Sequence, residues 1–240
     1  MFDLSENNIT ILVVDDEKEI ADLVEIHLRS AGFNVVKLCK DFNPDDILLI
    51  INKHDVSLVL LDIMLPGEHT GIDLCAKIRE KFNLPIIMLT AKGAYADKIT
   101  GLSAGADDYV SKPFHPLELT ARVEAQLRRF INLNPSNIGD AQIEVGGLTI
   151  FRDEHNVLLY NQPVELTPME FCILHLLASN LGKVFSAEDI FTSVWKEKYF
   201  ENSTNTVMVH IRHIREKIGD SGRNPRYIKT VWGVGYKIDK

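Results

Sequence analysis

Five short apolar runs recur through the first half of the chain, each followed by a stretch of helical periodicity. No other feature narrows the fold as far. The runs are Ile9 to Val14, Val35 to Leu38, Ser57 to Leu61, Pro85 to Thr90 and Asp107 to Ser111. Apolar strands alternating with amphipathic helices build a parallel sheet covered on both faces. The expected fold is α/β: a doubly wound, five-stranded (βα)5 domain. In the first helical segment Ile20, Leu23, Val24 and Leu28 recur on one face, and Gly32 supplies the stop. The fifth helix is expected from about Pro116 to Arg129.

Periodicity is lost over INLNPSNIGDAQ, residues 131–142, where Asn, Pro, Ser and Gly accumulate as in a linker. The expected division is residues 1–130, a linker at 131–142 and a second domain over 143–240, and 240 residues suffice for two cores. In the second domain Ile143 to Leu166 reads as short strands broken by Gly146-Gly147 and Asn161-Gln162-Pro163. Thr167, Pro168 and Glu170 carry the signal of a capped helix start, and Ser186 to Asp189 repeats it. A third helix over Thr204 to Ile218 and a closing hairpin over Tyr227 to Ile238 complete a winged helix-turn-helix.

No apolar run approaches the roughly 18 residues of a membrane helix. The acidic start MFDLSENN lacks the basic and apolar regions of a secretory signal, so a cytoplasmic protein is expected. Cys39, Cys75 and Cys172 are odd in number and far apart, which fits neither a disulfide framework nor a metal-ligand spacing. The net charge of -8 is uneven: residues 204–240 hold 8 basic side chains against 3 acidic ones. Such a basic segment is either a solvated tail or a nucleic-acid surface.

Ligands of doubly wound sheets bind outside the carboxyl ends of the strands. Here strand one ends in Asp15-Asp16, strand three in Asp62 and strand four in Thr90, and strand five is followed by Lys112-Pro113. Crowded carboxylates raise one another's pKa, so a cation between them is expected, and hard oxygen ligands favour Mg2+. A carboxylate beside Mg2+ can attack a phosphoryl group while a lysine and a hydroxyl neutralise its oxygens, which makes Asp62 the expected nucleophile.

The stretches LVVDDE, LVLLDIMLPG, PIIMLTAK and GADDYVSKPF resemble the receiver domain of two-component response regulators. The resemblance implies phosphorylation of Asp62 by a membrane sensor histidine kinase. It implies Mg2+ held by Asp16, Asp62 and the Met64 carbonyl, with Asp15 acting mainly through water. Thr90 and Lys112 would bind the phosphoryl oxygens, and Tyr109 matches the switch aromatic. It also implies a phosphorylation-dependent homodimer through the fourth helix, fifth strand and fifth helix, with Lys98 opposite Glu118 and Asp108 opposite Arg122. Met64 and Lys92 would border the path of a hydrolytic water, and neither activates it, so the acyl phosphate should persist.

On the third helix of the second domain Val207, Ile211, Ile214 and Ile218 repeat at core spacing, while Asn205, Val209, Arg212, His213 and Glu216 face outward and His210 and Arg215 lie on the flanks. Asn, Arg and His on a free helix face fit the major groove. LTPMEFCIL, TVMVHIRHIREKIG and YIKTVWGVGYKI resemble the first helix, recognition helix and wing of the OmpR/PhoB subfamily. That implies double-stranded DNA with tandem half-sites as partner, and RNA polymerase beside it. The implied contacts are Asn205, Thr206, His210, Arg212, His213, Arg215, Lys229, Trp232 and Tyr236. Asn205, Met208 and Trp232 depart from the residues usual in the subfamily, so operator sequence does not transfer. EIADLVEIHL, HPLELTARVEAQLRR and NPRYIKTVWGVGYKI resemble VanR-type regulators more closely, which implies control of glycopeptide-resistance genes or another cell-envelope operon. The rival expectation, a phosphatase or phosphotransferase with Asp62 or Asp15 as nucleophile, needs a substrate cap where the sequence offers a DNA reader.

Overall fold

The computed structural model describes residues 9–91, 101–102, 104–132, 142–152, 154–196, 199, 203–220 and 224–239. The chain divides into two compact units, one ending at Leu127 and the other beginning at Arg128. Among the described residues no helix is long and apolar enough to cross a membrane.

In the first unit β1 (Thr10–Val14), β2 (Asn34–Leu38), β3 (Val56–Asp62), β4 (Ile86–Ala91) and β5 (Asp108–Lys112) form one sheet in the order β2-β1-β3-β4-β5. Every pairing is parallel. β1 is buried along its whole length and β3 nearly so, as strands covered on both faces must be. Helices α1 (Lys18–Ser30), α2 (Pro44–Lys53), α3 (Gly71–Arg79) and α4 (Pro116–Asn132) belong with them. The Asn43 side chain caps α2 ahead of Pro44, and Thr70 and Asp73 form a reciprocal capping box on α3. The chain leaves β1 for β2 on one side and returns to β3 on the other. The carboxyl ends of β1 and β3 therefore lie side by side at a topological switch point. The segment expected to form the fourth helix falls mainly on residues 92–100, outside the described residues. The expected linker is partly helix, since α4 runs on to Asn132; residues 133–141 lie outside the described residues, and Gln142 opens β6.

The second unit begins with the antiparallel sheet β6 (Gln142–Val145), β7 (Leu148–Phe151), β8 (Asn156–Leu159) and β9 (Gln162–Pro163). Helices α5 (Pro168–Ala178), α6 (Ala187–Trp195) and α7 (Ser203–Lys217) follow, and then the hairpin β10 (Ile228–Val231) and β11 (Gly235–Ile238). Capping boxes at Thr167 with Glu170 and Ser186 with Asp189 start α5 and α6. Trp195, Phe171, Leu174, Ile190, Ile211, Ile214 and Ile228 lie in one core. Reciprocal backbone hydrogen bonds of 2.9 Å between Phe185 and Tyr236 fasten the hairpin to the loop before α6. This is the expected winged helix-turn-helix.

Candidate phosphoacceptor pocket and nucleic-acid interface

Asp15, Asp16 and Asp62 meet at the switch point, one oxygen of each lying within 4.8 Å of the others. Asp15 and Asp62 are buried and Asp16 is exposed. Across from them β5 delivers Lys112, whose Nζ lies 2.8 Å from Asp15 Oδ2, 2.7 Å from Asp62 Oδ2 and 3.2 Å from Glu17 Oε1. Burial raises the Asp15 pKa above the usual carboxylate range, against the opposing pull of Lys112. Burial alone would depress the Lys112 ammonium, but hydrogen bonds to Asp15 and Asp62 outweigh it and hold its pKa above the ordinary lysine value. One cation thus pairs with two carboxylates of the pocket, Asp15 and Asp62, and with Glu17 at its rim. Such an oxygen-rich, partly open cluster fits a hard divalent cation such as Mg2+.

The backbone around Asp62 is held closely. Met64 N–H donates to Asp62 Oδ1 at 3.1 Å, while the Met64 side chain projects into solvent. Gly71, the first residue of α3, donates its N–H to Ile63 O at 3.0 Å. A Cβ at Gly71 would fall 1.8 Å from the Asp62 carbonyl oxygen, so only glycine permits this approach. Thr90 is buried, and its hydroxyl donates to Ala91 O at 3.4 Å. Tyr109 is half-buried against the core and stands beside Met88 in the β4–β5 ladder. Lys92 and Lys98 lie outside the described residues. Asp108, Glu118 and Arg122 pair within one chain: Arg122 reaches Asp108 Oδ2 and Glu118 Oε1, each at 3.2 Å.

In the second unit part of the expected DNA-contacting set is turned inward. Thr206 and His210 are buried, with the His210 ring 5.5 Å from that of Trp195. The core stripe of α7 is wider than its apolar residues alone suggest, as a core-facing helix commonly requires. Arg215 also turns inward: it donates to Ile228 O (2.6 Å) and Thr230 Oγ1 (2.9 Å) and lies over the half-buried Tyr236 ring. Arg212 is exposed and paired with Glu216 at 2.8 Å; Asn205 and His213 are partly exposed. His213 Nδ1 lies 3.6 Å from the buried Glu170 Oε1, and burial holds the His213 pKa below the usual histidine value. Trp232 is 89% exposed at the tip of the hairpin, and Lys229 lies on β10.

Several structural anchors have little sequence signal. Glu170 reads only as a cap residue, yet its Oε2 accepts Lys217 Nζ at 2.6 Å and ties the end of α7 to the start of α5. Asp220 accepts the N–H groups of Arg226 (2.5 Å) and Ile228 (2.9 Å), which sets the entry to β10. Arg79 joins Asp107 Oδ2 at 2.5 Å and Gly105 O at 2.7 Å, fixing the turn that leads into β5.

Residues 11–124 match the family described as response regulator receiver domain, and residues 161–238 match that described as transcriptional regulatory protein, C terminal. The chain is 50% identical to regulatory protein VanR of Enterococcus faecium, over 96% of this chain and 98% of that protein. It is 49% identical to VanRc of Enterococcus gallinarum over the same shares. Among solved structures it is similar to response regulator DrrB, a Thermotoga maritima OmpR/PhoB homologue, at 34% identity, a TM-score of 0.50 and coverage of 98% of this chain and 100% of that one. A RitR mutant gives 26% identity and a TM-score of 0.75 over 97% of this chain and 99% of its own. The two VanR relatives are regulatory proteins by name, and DrrB is a response regulator. With a carboxylate pocket on the first unit and a winged helix in the second, the chain belongs to the OmpR/PhoB-type response regulators, as a VanR-like, DNA-binding member of a two-component system whose family implies a histidine kinase partner.

Proposed function

We propose that Asp62 is the phosphoacceptor and that its phosphorylation, in the cytoplasm, drives pairing of the receiver units and binding of tandem DNA half-sites, where RNA polymerase is the further partner. The carrying observation is the buried Asp62 carboxylate held 2.7 Å from Lys112 Nζ, beside Asp15 and Asp16. An Asp62 oxygen bonds to phosphorus as the P–N bond of the kinase's phosphohistidine breaks, and the imidazole nitrogen leaves with the electron pair and takes up a proton. Asp16, Asp62 and the Met64 carbonyl would hold Mg2+, with Asp15 acting through water; bound there, the cation offsets charge on the transferring group. Lys112 and the Thr90 hydroxyl then meet the phosphoryl oxygens, and Tyr109 turns inward as the hydroxyl moves. As the family resemblance implies, Met64 and Lys92 would border the phosphoryl group, and neither would orient a water, which favours a long-lived acyl phosphate.

On DNA, α7 enters the major groove with Asn205, Arg212 and His213 outward, while Lys229 meets a phosphate and Trp232 leads the wing. The bound genes are those of glycopeptide resistance or another cell-envelope operon. Sequencing of genomic DNA recovered with the phosphorylated and the unphosphorylated full-length protein tests the reading. Paired half-sites enriched on phosphorylation are expected, and equal recovery of the same fragments by both forms would refute phosphorylation control.

The Arg122 pairs with Asp108 and Glu118 within the chain would exchange for pairs across the dimer axis. The Arg122–Glu118 pair, open on the Glu118 side, contributes only about 0–1 kcal/mol, while Arg122–Asp108 is largely buried; their proposed role is register and partner choice. Glu118→Lys is expected to weaken dimerisation several-fold in sedimentation experiments, and adding Lys98→Glu to restore part of it. Absence of rescue would contradict this interface.

A further inference from the structure

Lys229 and Lys237 stand directly opposite each other in the β10–β11 ladder. Their side chains therefore leave the same face of the hairpin, where like charges repel and weaken the pairing. The neighbouring pair, Ile228 with Ile238, is buried in the core, so alternation turns the two lysines away from it. Within residues 228–239 they are the only basic side chains.

Asp239 answers both charges. Its Oδ2 lies 2.8 Å from Lys229 Nζ and its Oδ1 lies 2.6 Å from Lys237 Nζ, so each oxygen serves one ammonium. The two lysines hold the Asp239 carboxyl below its usual pKa, which keeps it ionised at neutral pH. Two anionic oxygens accepting from two ammonium groups are also what the non-bridging oxygens of a DNA phosphate offer. The side chains of Lys229, Lys237 and Asp239 are 43%, 28% and 39% exposed, open enough for one anion to replace the other.

We infer that Asp239 is an internal stand-in for DNA phosphate, holding Lys229 and Lys237 in the free protein and yielding them to the backbone when the wing meets a duplex. The exchange swaps one anion for another and lowers the net gain from the wing's lysines on every sequence, which leaves α7 to decide occupancy. The inference rests on the wing's meeting the DNA backbone, as proposed above.

The test is binding of the full-length chain to a labelled duplex of random sequence, followed by fluorescence anisotropy across a salt series. Each phosphate neutralised steepens the slope of log affinity against log salt by about 0.9. Asp239→Asn is expected to tighten binding about 3- to 10-fold at low salt, with the gain shrinking, and the slope steepening accordingly, as salt screens the competing lysine–carboxylate pairs. Asp239→Ser should act the same way, and replacing Lys229 and Lys237 by alanine in the Asp239→Asn chain should remove the gain. An equal gain without the lysines would show a general charge effect and overturn the inference. Unchanged affinity and slope in Asp239→Asn, with the lysine replacements still weakening the wild type, would overturn it while sparing the wing contact. Lysine replacements that change nothing in either background would remove the wing contact and the inference together.

Discussion

Asp62→Asn is expected to reduce acid-labile phosphate uptake to background, whether the donor is a histidine kinase or a small acyl phosphate with Mg2+. The amide keeps the size of the side chain but has no anionic oxygen to attack phosphorus. Its neighbours are poorly placed to take over. Asp15 is fully buried, with Oδ1 accepting Glu17 N–H at 3.0 Å and Oδ2 facing Lys112, and Asp16 lies on the exposed side of the pocket. The fold should survive, because Lys112 retains Asp15 and Glu17 as partners. Radiolabel incorporation checks the effect. Labelling of the variant at the wild-type level would place the phosphoacceptor elsewhere.

Gly71→Ala is the second change with a large expected effect, although it adds a single methyl group and alters no charge. The new carbon would lie 1.8 Å from the Asp62 carbonyl oxygen and 2.9 Å from Ile63 Cα. Both contacts are backbone, so no side chain can swing aside, and α3 must move off β3. Overpacking of this kind typically costs about 1–3 kcal/mol, and the backbone contact puts Gly71→Ala at the upper end. The same displacement pulls on the chain between Asp62 and Met64, so phosphorylation should slow as well. Urea unfolding and phosphorylation rate measured on one preparation check both effects. Wild-type values for the two would show that the β3–α3 junction yields freely.

The strand-end cluster is legible because an apolar run and the polar residue that ends it are adjacent in sequence. Asp15, Asp62, Thr90 and Lys112 needed only the parallel register to come to one edge of the sheet. Strand limits were close too: the run Ser57 to Leu61 lies within Val56–Asp62. The partners of those residues were less visible. Nothing local connects Glu17 with Lys112, 95 positions apart, or makes Glu170 an anchor for Lys217, 47 positions away. On α7 a count of apolar residues finds Val207, Ile211, Ile214 and Ile218 but passes over Thr206 and His210, which are polar in type and buried in place. Arg215 differs in the same sense, since a basic residue on the flank of a helix reads as outward until the hairpin it binds is folded beside it.

That contact governs how the two reading elements can vary. Arg215 bonds β10 through Ile228 and Thr230 and covers the Tyr236 ring on β11, so helix and hairpin are held at one set separation. Little orientational freedom is left to lose at the moment of contact, which preserves affinity. In the proposed docking, substitutions on the outward face of α7 would therefore change the preferred bases while the distance between major-groove and wing contacts stays constant. Half-site length and half-site sequence would then be separable properties, one set by the partly buried Arg215 guanidinium and the other by the side chains on the open face of the helix.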